Sequence, residues 1–252
     1  MSNWYDFNVL KTKQLPSFDM YSQYGEEGVL EHIFNNINHT ANYCVDIGAM
    51  DGVLSSTTKY MREQYNWDSL LLEGSTKHQQ HNKDVKLEWV TKDNVIQLFE
   101  KYNVPKDISM VNIDIDYNDY WITEAIMSNT QYNVDLFVVE FNPGIPSSDS
   151  LTVPYNEKAT KDATYYFGTS LLALEKLALE HNYKLLYSVR DNEIGLDKTY
   201  DYSVERSGRN ALLIDEKHLP KSFNQTSKQL HPVTWREPWK KPDTQNREYI
   251  GV

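Results

Sequence analysis

The chain has 252 residues, a length that suits one domain and is short for two large ones. Hydrophobic residues make up 40%, enough for a sizeable core, and a net charge of -11 argues against nucleic acid as a partner, because phosphate backbones are held chiefly by clustered Lys and Arg. Cys44 is the single cysteine, so the chain cannot close a disulfide on itself.

The opening Met1-Ser2-Asn3-Trp4-Tyr5-Asp6 lacks the basic and apolar regions of a secretory leader. No apolar run approaches ~18 residues, so a cytoplasmic setting without a membrane anchor is expected. After an irregular start, Val29, Leu30, Ile33, Phe34 and Ile37 recur at helical spacing, and residues 1–42 read as a segment packing on a domain that follows. From 43 to 215 short apolar runs at 43–47, 68–73, 85–90, 108–115, 134–141, 183–189 and 210–214 alternate with helical patterns at 56–65, 93–102, 119–128 and 169–181. Such alternation predicts an α/β fold, Rossmann-like, with a seven-stranded mostly parallel sheet and helices on both faces. No helical pattern separates the last two runs, which predicts a closing antiparallel pair. Residues 142–168 form a long Pro- and Tyr-containing connection after a strand's carboxyl end, expected as a lid. Residues 216–252 read as a C-terminal tail; from Lys217 to Glu248 it carries seven Lys/Arg against three Asp/Glu, a solvated stretch expected to pack Trp235 and Trp239 on the domain. His78, His81, His181 and His218 show no ligand spacing and read as surface residues, while Thr169 and Ser170 read as helix caps.

The turn after the first strand is the most informative segment. Tyr43-Cys44-Val45-Asp46-Ile47 is followed by Gly48-Ala49-Met50-Asp51-Gly52. Glycine is needed where backbone must turn sharply and come close to a ligand. The G-x-x-x-G spacing differs from the G-x-G-x-x-G of dinucleotide enzymes. Asp46 would repel a pyrophosphate but suits the cationic sulfonium and amino group of S-adenosylmethionine. Glu73, with Gly74 after it, closes the second strand 21 positions beyond Gly52, where an acid is the expected partner of ribose hydroxyls. The cofactor is thus expected across Asp46, Gly48, Ala49, Asp51 and Gly52, with Glu73 and Gly74 facing it.

Asp46 to Gly52, then Ser55-Ser56-Thr57 and Leu71-Leu72-Glu73-Gly74, resembles the FkbM-like methyltransferases. Ser22-Gln23-Tyr24-Gly25-Glu26-Glu27-Gly28 and Val139-Glu140-Phe141-Asn142-Pro143 look like a viral and bacterial branch near that family, and Ile113-Asp114-Ile115-Asp116 is similar to the acidic motif of the metal-using TylF-like sugar O-methyltransferases. The likeness spans roughly residues 20–215, although Asp116-Tyr117 stands where FkbM-like chains carry an acid-glycine pair. It implies a class I methyltransferase fold, Gln23 and Ser55 as further cofactor contacts, Asp93 or Asn94 near adenine, and a sugar hydroxyl or other small acceptor as substrate.

In that fold Asp114 and Asp116 end one strand and Glu140 and Asn142 the next, with both pairs at i, i+2 on one face. Carboxylates gathered there repel unless a cation or raised proton affinity relieves them. Oxygen-only ligands suit Mg²⁺ or Mn²⁺, so Asp114, Asp116, Glu140 and Asn142 are candidate metal ligands, and Asp116 with Asp114 the candidate catalytic acids. The bland alternative is that these side chains cap helices or hold loop amides. Two other functions compete: a metal-dependent glycosyltransferase using Asp114-x-Asp116, and an inactive methyltransferase-like binding protein.

Overall fold

The computed structural model describes residues 3–15, 21–39, 41–79, 82–162, 164–189, 209–230, 243 and 245–252. Seven strands make the main sheet: β1 (Tyr43–Ile47), β2 (Asp68–Glu73), β3 (Val85–Leu87), β4 (Asp107–Ile113), β5 (Asn133–Phe141), β7 (Tyr183–Ser188) and β8 (Arg209–Asp215). A two-residue pair, β6 (Leu151–Thr152) and β9 (Ile250–Gly251), stands apart. The spatial order is β3-β2-β1-β4-β5-β8-β7, parallel from β3 to β5, with β8 antiparallel to both neighbours. This is the expected Rossmann-like α/β fold, closing antiparallel pair included. The order reverses between β1 and β4, and their carboxyl ends open the crevice where such sheets bind ligands.

The central strands are legible as apolar runs because they are covered on both faces. Along β5, Phe137, Val139 and Phe141 pack toward α5 (Val95–Lys101), α6 (Asp119–Met127) and α7 (Leu171–Glu180), meeting Phe99, Ile122 and Leu174. Leu136 and Val138 point the other way, toward α1 (Phe7–Lys11), α2 (Glu26–Phe34) and α3 (Lys59–Gln64), meeting Leu10, Ile33 and Met61. Each such fully buried aliphatic or aromatic side chain contributes ~1.5–3 kcal/mol. Two small helices, α4 (Thr76–Gln79) and α8 (Ser227–Leu230), complete the set with a 3-10 turn at Glu216–His218. Among the described residues no helix is long and apolar enough to cross a membrane.

Several boundaries differ from the sequence reading, each for a visible reason. The helix expected over 56–65 begins only at Lys59, because Ser56 and Thr58 turn their hydroxyls onto Asp46. The strand expected to reach 115 ends at Ile113, and Asp116 adopts φ 68°, a left-handed conformation no strand accommodates. Ser170 caps α7, accepting from the Ala173 amide at 3.1 Å, so the cap reading holds. His218 is not a surface residue: only 6% of its side chain is exposed, and its Nε2 lies 2.8 Å from the buried Asp135 carboxylate. Trp235, Trp239 and His81 lie outside the described residues.

The long connection after β5 is folded rather than open. Leu151 and Thr152 pair with Gly251 and Ile250, the Val153 amide reaches the Gly168 carbonyl at 3.0 Å, and the Asn142 amide reaches Thr169 at 2.8 Å. Arg247 ties the end of the chain to Asp162 at 2.7 Å and to Asp243 at 2.8 Å. The segment is therefore closed on itself and stapled by Arg247, Ile250 and Gly251.

Candidate active site

Gly48 leaves β1 with φ 88° and its amide donates to the Leu72 carbonyl at 2.9 Å. A Cβ there would sit 1.8 Å from the Asp114 carbonyl oxygen, so β4's end presses directly on the turn and only glycine fits. Met50 and Ser55 also carry positive φ, 49° and 54°, and Gly52 69°, so unusual backbone concentrates in this turn. Asp51 steadies it by accepting from the Val53 and Leu54 amides at 2.9 and 2.7 Å. Arg62 of α3 donates to the Gly52 carbonyl and to Ser56.

The two acids assigned to the cofactor play visibly different structural parts. Asp46 is 1% exposed, and its oxygens accept from Thr58 at 2.7 Å, Asn112 at 2.8 Å and Ser56 at 3.3 Å. It anchors the turn from beneath. Glu73 lies beside the turn at the end of β2, accepting from the Met50 amide at 2.9 Å and the Ser75 amide at 2.7 Å. Each of its oxygens keeps a second lone pair for a ligand hydroxyl. Gly74 follows, and the Trp89 indole packs on it so closely that a Cβ would lie 2.7 Å from Cε3. Trp89 is 45% exposed and donates from Nε1 to the Glu157 carbonyl at 2.7 Å. This aromatic face beside Glu73 was missed by sequence reasoning, which had no periodic or motif signal to single it out.

The remaining expected cofactor residues are more scattered. Ala49 is buried in the turn and Ser55 is exposed on it. Asn94 binds its own turn, accepting from the Thr91 amide at 2.8 Å and donating to the Trp89 carbonyl at 2.9 Å. Asp93 is exposed beside Lys92. Gln23 is also exposed, 3.1 Å from the Tyr24 hydroxyl, before a knot in which Ser22 binds Glu27 and Asn210 binds Glu26.

Beyond β4 and β5 the acids do converge, in a different combination from the one expected. Carboxylate oxygens of Asp114, Asp119 and Glu140 lie within 4.8 Å of one another. Asp119, the first residue of α6, accepts from the Ile115 amide at 2.8 Å, and its Oδ2 is buried with no hydrogen-bond partner. Burial, reinforced by neighbouring carboxylates, raises the proton affinity of Asp114 and Glu140 well above the ordinary range. Burial likewise pushes Asp119 up to about 7. Asp116, whose side chain is 47% exposed, pairs instead with Lys161. The Lys161 ammonium also stands 3.7 Å from Glu140 and 4.0 Å from the centre of the Phe167 ring. Burial would lower its proton affinity, but Glu140, Asp116 and Asp114 outweigh that and leave it raised.

The expected four-ligand metal set is therefore not assembled. Asp116 is held by Lys161, and Asn142 turns away to donate to the Tyr165 and Phe167 carbonyls at 3.1 and 3.0 Å. A lysine ammonium already stands among the carboxylates, so the residues present do not fit a divalent ion in that arrangement. Tyr residues of the connection after β5 are engaged within the fold. Tyr166 is 4% exposed, stacked on Tyr249 at 4.8 Å and under Arg247 at 4.4 Å, and Tyr155 lies beside Trp121 and under Lys92.

No protein-family model matches the chain, and no curated protein matches it either. Among solved structures, it is similar to a Listeria monocytogenes protein assigned as an S-adenosylmethionine-dependent methyltransferase, at 10% identity and TM-score 0.42, over 74% of this chain and 96% of that one. The methyltransferase domain CMeT of the citrinin polyketide synthase gives 11% identity and TM-score 0.41, over 78% and 55% of the two chains. The mitomycin 7-O-methyltransferase MmcR gives 13% and 0.32, over 69% and 49%. The chain thus spans about half the length of the latter two. Strand order and direction define the class: a Rossmann-like α/β fold, with a glycine turn at its switch point.

Proposed function

We propose that the chain is an S-adenosylmethionine-dependent O-methyltransferase, acting on a hydroxyl of a glycan or activated sugar. The observation that carries the reading is the turn at the β1/β4 crevice: Gly48 pressed against Asp114, left-handed backbone through Gly52, and Glu73 facing it from β2. The residues suit the cofactor, with backbone open to close approach, a carboxylate for the ribose and the Trp89 face beside it. The choice of a sugar draws on the resemblance to FkbM-like and TylF-like enzymes.

When bound, the cofactor supplies a methyl group already activated by the sulfonium charge. The chain's own work is then positioning and proton handling. Holding the acceptor oxygen about 3 Å from the methyl carbon provides much of the rate. Asp116 is the carboxylate an acceptor can reach, at the crevice end of β4 and half exposed. Asp116 would accept the proton of the acceptor hydroxyl as that group is methylated. Half-buried Asp114 and the buried Asp119 and Glu140 stand behind it as an acidic wall.

The test is calorimetry with S-adenosylhomocysteine, followed by labelled methyl transfer to a carbohydrate panel. Micromolar binding that weakens at least about 10-fold in Glu73→Gln is expected, the scale of one lost charge-assisted hydrogen bond. Undiminished binding in Glu73→Gln, or stabilisation by UDP or GDP with none by S-adenosylhomocysteine, overturns the assignment and moves it toward the glycosyltransferase reading.

A further inference from the structure

The 142–168 segment crosses the crevice and delivers one side chain into the acidic pocket. Lys161 is 17% exposed at its side chain, pairs with Asp116, and lies 3.7 Å from Glu140. Four carboxylates surround that ammonium or act on it through space: Asp114 and Asp116 after β4, Asp119 at the start of α6, and Glu140 in β5. The Phe167 ring backs it at 4.0 Å. Asp119, whose Oδ2 atom is buried and without a hydrogen-bond partner, contributes a carboxylate oxygen to the same group. A cluster of this charge is relieved by protons, by a cation or by both. The fold provides a cation on a lysine, held in place by the closed geometry of the segment.

We propose that Lys161 is the resident cation of this site, taking the place a divalent ion would hold between the β4 and β5 ends and fixing Asp116 toward the crevice. This rests on the transfer reading above for its consequence, though not for its geometry. Lys161 is a positioning residue: it acts through Asp116, and as a protonated ammonium it cannot itself accept the hydroxyl's proton. Asp116 carries φ 68° and is half exposed, so a fixed partner is what holds one carboxylate orientation there. The acceptor is then methylated without an added metal.

Two readouts test this on the full chain. Manganese binding, followed by electron paramagnetic resonance, should show no stoichiometric site in the wild-type protein, and EDTA should leave label transfer unchanged. Lys161→Ala should lose turnover on the order of 10²-fold, the scale of one removed electrostatic contact, with S-adenosylhomocysteine affinity unchanged. Lys161→Arg should keep most of the rate, and ethylammonium should restore part of it to Lys161→Ala. One equivalent of Mn²⁺ bound by the wild type and required for turnover overturns the proposal, and so does wild-type turnover in Lys161→Ala. Absence of S-adenosylhomocysteine binding by the wild type sinks the transfer reading alone, because the manganese measurement still decides what cation the pocket holds.

Discussion

Gly48, Asp46 and Asp116 each limit how the site can be probed. At Gly48 the added Cβ of Gly48→Ala meets the Asp114 carbonyl at 1.8 Å, and φ 88° is unfavourable for any L side chain. Left-handed strain alone costs ~1–3 kcal/mol, and a domain of this size loses ~2–4 °C per kcal/mol. The expected outcome is a melting temperature several degrees lower, together with lost S-adenosylhomocysteine affinity; an unchanged melting curve counts against the close approach. Asp46→Ala is a poor probe of cofactor binding, because it strands Thr58, Ser56 and the Asn112 amide in the core. Buried groups left unpaired cost ~1–3 kcal/mol each. Asp116→Asn is the cleaner probe of chemistry. Asparagine tolerates left-handed backbone, so the conformation survives while the base is removed. Turnover should fall on the order of 10²–10⁴-fold with cofactor affinity nearly unchanged. Near-normal rates in a single-turnover assay make the acidic wall structural.

Among the elements, legibility follows burial. The β1, β2 and β5 strands were readable because parallel strands buried on both faces appear as apolar runs, and Glu73 was readable because a strand end fixes its place. The covering segment was readable only as a long connection. Its partners are the last residues of the chain, and two-residue strands such as β6 and β9 have no period to detect. Lys161 was invisible for a related reason: it lies 45 positions from Asp116, in a polar stretch where no spacing rule applies. Asp119 at the start of α6 holds a loop amide and also joins the acidic wall, and only the second role depends on a neighbour distant in sequence, Glu140. The closure of the segment has its own test. The Tyr249 hydroxyl accepts from Asn142 Nδ2 at 3.1 Å and from the Phe167 amide at 3.2 Å. In Tyr249→Phe, hydrogen exchange at Phe167 should accelerate about 10-fold or more, since a lost buried bond costs ~1–3 kcal/mol. Exchange in β1 and β4 should stay as it was. Equal protection at Phe167 in both proteins shows that the staple lies elsewhere.

For the whole molecule, the acidic wall makes stability depend on pH in an unusual direction. Carboxylates held in ion pairs, such as Asp243 beside Arg247, are lowered in the fold and stabilise it above their unfolded values, with that contribution lost as pH falls. Asp114, Asp119 and Glu140 are raised, chiefly by burial, and Glu26 is raised in the same way at the start of α2. For a raised acid the folded state binds more protons than the unfolded state between the two values. Its contribution is therefore fully present below the unfolded value and lost as pH climbs through the folded one. For Asp119 that window runs from 3.8 to about 7. At ~1.4 kcal/mol for each tenfold change in proton affinity, the loss reaches about 4 kcal/mol at most. Asp119→Asn preserves the oxygen that accepts from the Ile115 amide and removes the titration. Relative to wild type, its melting temperature should therefore rise by several degrees more at pH 8 than at pH 5. Lys161→Met should move the other way, losing more stability at pH 8, where the ionised wall most needs its cation. Calorimetric melting of the three proteins across pH 5–8 measures both slopes, and parallel curves would show that these carboxylates do not titrate with folding.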